Sequence, residues 1–142
     1  MKPFFLFQMF ENKRKNHLKS KIVISQLFSK GKVITKGPLR LVYVEILPKN
    51  ANDLQFLISV PKKRFKLAVS RNRIRRVISE AFRLNASEFQ NSLHQLEKQF
   101  AIALIYIGKK EVNFETIEKY VQQILSELSI KIQNNENNQI KS

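Results

Sequence analysis

The sequence predicts an α+β domain in which helices pack on one β-sheet, and three observations carry that expectation. Segments with a helical apolar stripe and segments with alternating or β-branched patterning follow one another in the order α-β-β-α-α-β-α, with no internal repeat. A chain of 142 residues that is 43% hydrophobic can bury one core. Only three glycines and four prolines interrupt it, which leaves little room for long linkers.

The opening MKPFFLFQMF is too short to span a bilayer, and no small-residue cleavage site follows before ENKRKNHLKSK. Residues 1–12 are therefore expected to be a weakly ordered extension, residues 13–132 a single domain, and residues 133–142 a polar, disordered tail. The first helix is expected over 17–31, with Leu18, Ile22, Ile24, Leu27 and Phe28 on an imperfect stripe and Gly31 as its stop. Residues 38–47, PLRLVYVEIL, read as a strand. Pro48 and KNAND turn the chain, and the alternating LQFLISV, 54–60, is expected to return as a hairpin partner that Pro61 ends.

Residues 62–69 read as a highly charged loop. A helix follows, with Ser70 as the expected N-cap. Ile74, Val77, Ile78, Ala81 and Phe82 recur at i, i+3, i+4, i+7 and i+8, a stripe that faces a core. Asn72, Arg75, Arg76, Ser79 and Arg83 are expected to point away from it, and Asn85 to end the helix. A weaker helix is expected over 86–99, from Phe89, Leu93 and Leu96. FAIALIYI, 100–107, suits a strand buried on both faces. After a GKKEVN loop, residues 114–132 form a last amphipathic helix capped by Asn113.

The net charge of +15 points to a polyanionic partner. It is unevenly spread: residues 1–86 hold 20 Lys and Arg against Glu11, Glu45, Asp53 and Glu80, whereas residues 87–142 hold six against seven Glu. Residues 62–76, KKRFKLAVSRNRIRR, contain eight basic residues and no acid. Like charges this dense repel one another unless a partner's anions offset them, and arginine's planar fork binds phosphate through two hydrogen bonds. A helix-turn-helix reader of DNA needs a helix just before the recognition helix. Here a strand and loop precede it, so RNA or nonspecific backbone binding fits better.

Phe28, Tyr43 and Phe56 could form a platform for unpaired bases. Strand alternation favours a core role for Phe56 and leaves Phe28 and Tyr43 open between core and platform. A catalytic site is not evident. There is no cysteine, the acids of the basic half are scattered, and His17 and His94 lack metal-ligand spacing. Glu80 follows Arg76 by four residues and reads as its ion-pair partner. The absence of cysteine fits a cytoplasmic protein, and no segment suggests a membrane partner.

With these residues in view, SVPKKRFKLAVSRNRIRRVISEAFRLN, 59–85, resembles the signature of the protein subunit of bacterial ribonuclease P. The matching residues are Ser59-Val60, Lys62-Lys63, Arg71-Asn72-Arg73, Arg75-Arg76 and Ala81-Phe82. Leu18-Lys19, Leu27-Phe28 and Gly31 match that family's first helix, LRLVYV its first strand and FAIALIYIGKK its late buried strand. The resemblance covers residues 16 to about 130.

It implies an α-β sandwich with one mainly antiparallel sheet of about four strands. It also implies a left-handed βαβ crossover carrying the arginine helix, where the general rule favours the right-handed one. It further implies that a catalytic RNA subunit, which requires magnesium, removes the 5′ leader of precursor tRNA. The protein would bind both RNAs, hold no metal or cofactor itself, and be inactive alone.

Carried over by position, Arg71, Asn72, Arg73 and Arg76, joined by Arg75, would face the catalytic RNA. Phe28, Tyr43, Ser59, Lys62 and Lys63 would line the leader cleft, and Arg64, Lys66 and Arg83 would add basic contacts. Pro61, Ile24 and Ser79 depart from the family pattern; the last two remove a stacking and a phosphate contact. A structural RNA-binding protein of another ribonucleoprotein is the rival reading, and a stand-alone nuclease the third.

Overall fold

A computed structural model describes residues 21–46 and 54–141. The expected extension 1–12, the first turn of the expected first helix and the turn around Pro48 lie outside the described residues. The elements are α1 (Lys21–Lys30), β1 (Lys32–Lys36), β2 (Leu39–Ile46), β3 (Leu54–Ser59), α2 (Ala68–Asn85), α3 (Ser87–Leu96), β4 (Gln99–Tyr106) and α4 (Phe114–Lys141). The four strands form one mixed sheet in the order β1-β2-β4-β3, so the expected α+β class holds. β1 and β2, and β2 and β4, pair antiparallel.

β3 corrects the expected hairpin. It lies beyond β4 and runs parallel to it, joined to it through α2 and α3. The nearly all-apolar β4 takes the centre, where both faces are buried, and its eight-residue register with β2 displaces β3 from that neighbour. β1 was not anticipated. It is a short edge strand with only Ile34 buried, too weak a pattern to stand out. Gly37 makes its turn into β2 at φ +55°, and a Cβ there would meet the Tyr120 ring at 2.5 Å.

Alternation divides the sheet's side chains between two faces. On one, Ile34, Leu39, Leu41, Tyr43, Phe100, Ile102, Leu104 and Tyr106 meet three helices. Those helices bring Ile74, Ile78 and Phe82 from α2, Phe89 and Leu93 from α3, and Ile117, Val121, Ile124 and Leu128 from α4. The α2 stripe packs as its periodicity predicts, and Phe56 takes the core role favoured for it, 4.9 Å from Phe82. The other face carries small residues, Val42, Ala101 and Ala103, and is covered by α1 through Leu27, with Ile24 beside it. Gly31 allows that close approach, since a Cβ there would lie 2.5 Å from Val42.

Three local expectations need correction. Helix α2 starts two residues before Ser70, behind Leu67, and has no side-chain cap, so Ser70 lies within the first turn. Ser79 is buried rather than outward-facing, the stripe being wide enough at the packed middle of α2 to include it. The last helix runs past its expected end at 132 to Lys141; no glycine or proline stands between 114 and 142 to break it. Asn113 does cap this helix, accepting the Thr116 N–H at 2.9 Å.

Candidate nucleic-acid interface

The basic surface is built by the first two turns of α2 and the loop before it. Because Ile74 and Ile78 anchor one side of the helix in the core, the neighbouring Arg73, Arg75 and Arg76 are turned to solvent. Lys62, Lys63, Arg64 and Lys66 follow in an exposed turn closed by the Arg64 and Phe65 N–H groups donating to the Pro61 carbonyl, at 3.2 and 3.3 Å. The structure thus gathers Arg71, Asn72, Arg73, Arg75 and Arg76 with the charged loop.

Within that cluster the arginines are not equivalent. Arg73 forks onto Glu111, with Nη1 at 3.0 and 2.9 Å from the two carboxylate oxygens. Arg75 donates to Asn72 Oδ1 at 2.8 Å, and partial desolvation beside the Arg71 cation lowers its pKa from the ordinary arginine value. Arg71 donates to two backbone carbonyls of the loop. Arg76 is exposed and has no ion-pair or hydrogen-bond partner among the described residues. Glu80, expected to pair with Arg76, instead binds Arg83 at 2.5 Å. Arg83 is therefore neutralised locally and lies roughly 15 Å along the helix from Arg73.

The Arg73–Glu111 pair also brings a second basic segment to the patch. Glu111 belongs to the loop between β4 and α4, where Lys109 and Lys110 are exposed. Two further contacts hold that loop in place: Tyr106 Oη donates to the Lys110 carbonyl, and the Phe65 ring packs 5.7 Å from Tyr106. Burial, and then Glu111, raise the Tyr106 pKa, so the hydroxyl stays a donor at neutral pH. Sequence reading missed Lys109 and Lys110 as part of this surface, because GKK-type loops are common and nothing local ties them to α2.

The residues expected along the leader cleft divide. Ser59 lies on the α1 side of the sheet, in register with Ile105, which is in turn opposite Arg40. Arg40 and Ser59 thus flank Ile105 two strand spacings apart, roughly 10 Å. Arg40 is exposed and was also missed; its position between Leu39 and Leu41, both in the core, was the available signal. Phe28 is 59% exposed on α1, so its ring is open to a base. Tyr43 is not: it points to the three-helix face, is 5% exposed and packs against Phe100. It is a core residue, which resolves the alternative left open by periodicity and removes it from the platform. Burial, and then Glu127, raise its pKa.

Among the described residues no group of three or more His, Cys, Asp or Glu is placed to hold a metal ion. None of the described helices is long and apolar enough to cross a membrane.

A family model described as Ribonuclease P matches residues 12–129. The chain is 35% identical over 102 residues to the ribonuclease P protein component of Porphyromonas gingivalis strain ATCC 33277, covering 72% of this chain and 74% of that one. Among solved structures, the Staphylococcus aureus RNase P protein superposes with a TM-score of 0.59 at 21% identity, over 78% of this chain and 93% of that one. The Thermotoga maritima RNase P protein does so at 0.58 and 21%, over 77% and 94%. At these identities the structural matches speak for the fold alone.

Proposed function

The chain belongs to the ribonuclease P protein family, and on that premise we propose that it is the protein subunit of a ribonuclease P ribonucleoprotein and works by binding RNA. In this reading the α2 patch, with Arg73, Arg75 and Arg76 outermost, binds phosphates of the catalytic RNA. The α1 side of the sheet, with Phe28, Arg40 and Ser59, receives the single-stranded 5′ leader of precursor tRNA, and Lys62 and Lys63 extend that path. The RNA performs the cleavage and binds the magnesium it needs; the protein aligns and neutralises.

The observation that carries the proposal is the composition of the patch. Eight cations lie within residues 62–76 without an acid, and among the described residues only Glu111 reaches in to pair with one of them. Such a surface suits a folded polyphosphate, whose counterions are released as the cations bind. The exposed Phe28, beside a sheet face that among the described residues is covered by α1, suits an unpaired strand that stacks as it passes.

Reconstitution tests the proposal. The purified chain is expected not to cut precursor tRNA alone, and to restore cutting by the cognate catalytic RNA at low magnesium. Cleavage by the protein alone would overturn it. Binding without any assistance to cleavage would favour a structural role in another ribonucleoprotein.

A further inference from the structure

Arg71 stands in the motif that the family resemblance assigns to RNA, yet its side chain is turned back onto its own chain. Nη1 donates to the carbonyl oxygen of Phe65 at 2.8 Å and to that of Lys66 at 2.9 Å. Arg71 is half-buried, whereas Asn72, Arg73, Arg75 and Arg76 are exposed. Both acceptors lie in the loop that carries Lys62, Lys63, Arg64 and Lys66.

That loop has a reason to need a tether. Four cations in five residues repel one another, and among the described residues no carboxylate pairs with any of them. Its internal order consists of one tight turn on the Pro61 carbonyl, and Leu67 leads into α2 without a side-chain cap. Phe65 fixes one side of the loop through the Tyr106 ring. Two charge-assisted hydrogen bonds from Arg71 fix the other. Arginine suits this task because its rigid, permanently charged fork can meet adjacent carbonyls, which the point charge of a lysine does less well.

We infer that Arg71 is a positioning residue: it latches the basic loop to the first turn of α2, so that the loop's cations meet RNA in one arrangement. Its importance for RNA binding then arises through Lys62, Lys63, Arg64 and Lys66 rather than chiefly through a phosphate of its own. This deepens the function proposed above and rests on it for its consequence in binding. The latch itself can be measured without RNA.

The test begins with residue-resolved amide exchange on the free, full-length chain. Arg71→Ala is expected to accelerate exchange at the Arg64 and Phe65 amides on the order of tenfold, through loss of local hydrogen bonds. Arg76→Ala is expected to leave both at wild-type rates, and the β4 amides report whether the fold is intact. Should Arg71→Ala disturb β4, Arg71→Gln, which retains a donor, provides the same comparison with a smaller expected acceleration.

A double-mutant cycle on binding to the catalytic RNA follows. Lys66→Ala is expected to cost much less affinity in the Arg71→Ala background than in the wild type. Unchanged exchange at Arg64 and Phe65 would overturn the latch. Additive losses in the cycle, with Arg71→Lys retaining full affinity, would make Arg71 a direct charge contact and overturn the positioning role. If the wild-type chain fails to bind the catalytic RNA, the functional reading fails, while the exchange measurement still decides the latch.

Discussion

The two faces of the sheet are built for different tasks. The face toward α2, α3 and α4 is filled with large side chains, among them Leu39, Leu41, Tyr43, Phe82 and Tyr106. The opposite face has alanine at 101 and 103, is covered among the described residues by α1, and carries Arg40 and Ser59. Most of the stabilising burial is therefore on one side, and the other can keep polar and aromatic groups in solvent without losing the core. The charge of α2 follows the same division, since the helix that closes the packed face presents its arginines on the side turned away from it.

Substitutions on the two faces should break this contrast if it is wrong. The largest expected effect is on the packed face. Phe82→Ala removes a ring that is 2% exposed and is expected to cost about 3–5 kcal/mol of stability by denaturant titration. A loss below about 1 kcal/mol would mean that the site collapses around the cavity. On the other side, Phe28→Ala is expected to leave the unfolding midpoint nearly unchanged. If a base stacks there, affinity for precursor tRNA falls by about 1–3 kcal/mol while affinity for mature tRNA is kept. Equal losses for the two RNAs would count against a leader contact.

A smaller effect separates the arginines. Arg76→Ala is expected to lower the log–log salt slope for binding catalytic RNA by roughly one unit, as the loss of one phosphate contact does. Arg83→Ala, whose cation is already held by Glu80, is expected to change it far less. Equal slopes for the two variants would show that internal pairing does not grade these residues.

The smallest effect is in pH. The Tyr43 pKa is raised in the fold, first by burial and then by Glu127, so the fold favours the neutral phenol. Its contribution to stability is then fully present below the ordinary tyrosine value of about 10, and is lost as pH rises through the higher folded value. Tyr43→Phe is expected to show a shallower loss of stability above pH about 10. Parallel alkaline curves for the two chains would remove that linkage.

Glu127 sharpens the same point in reverse. Its carboxyl is held below the ordinary range, first by the hydrogen bond from Lys36, 3.0 Å away. Any stability it adds is present above the unfolded value and lost as pH falls through the folded one. The pair is exposed enough that this contribution is small.

Much of this molecule was legible from residue order alone, because the signals are local. The stripe through Ile74, Ile78 and Phe82, the unbroken apolar run of β4, and Asn113 ahead of the last helix each act within a few residues, and each appears where expected. The expectation of a polyanionic partner is equally local, since charge density within residues 62–76 needs no fold to be read. Strand order was different. β3 was misassigned because neighbouring strands compete for the same edges, and that competition is settled by contacts far apart in sequence.

The functional surface required tertiary information for the same reason. Alternation across β2 separates Arg40 from Tyr43, but only the packing of three helices on one face decides which of the two is buried. Lys109 and Lys110 join the α2 patch through Glu111, a contact spanning 38 residues. Which arginine is latched to the loop, which is paired and which is open depends on carbonyls and carboxylates that the fold brings to each guanidinium. Composition specified a cationic surface suited to a polyanion; three-dimensional packing distributed its charges among holding the loop, pairing internally and facing outward.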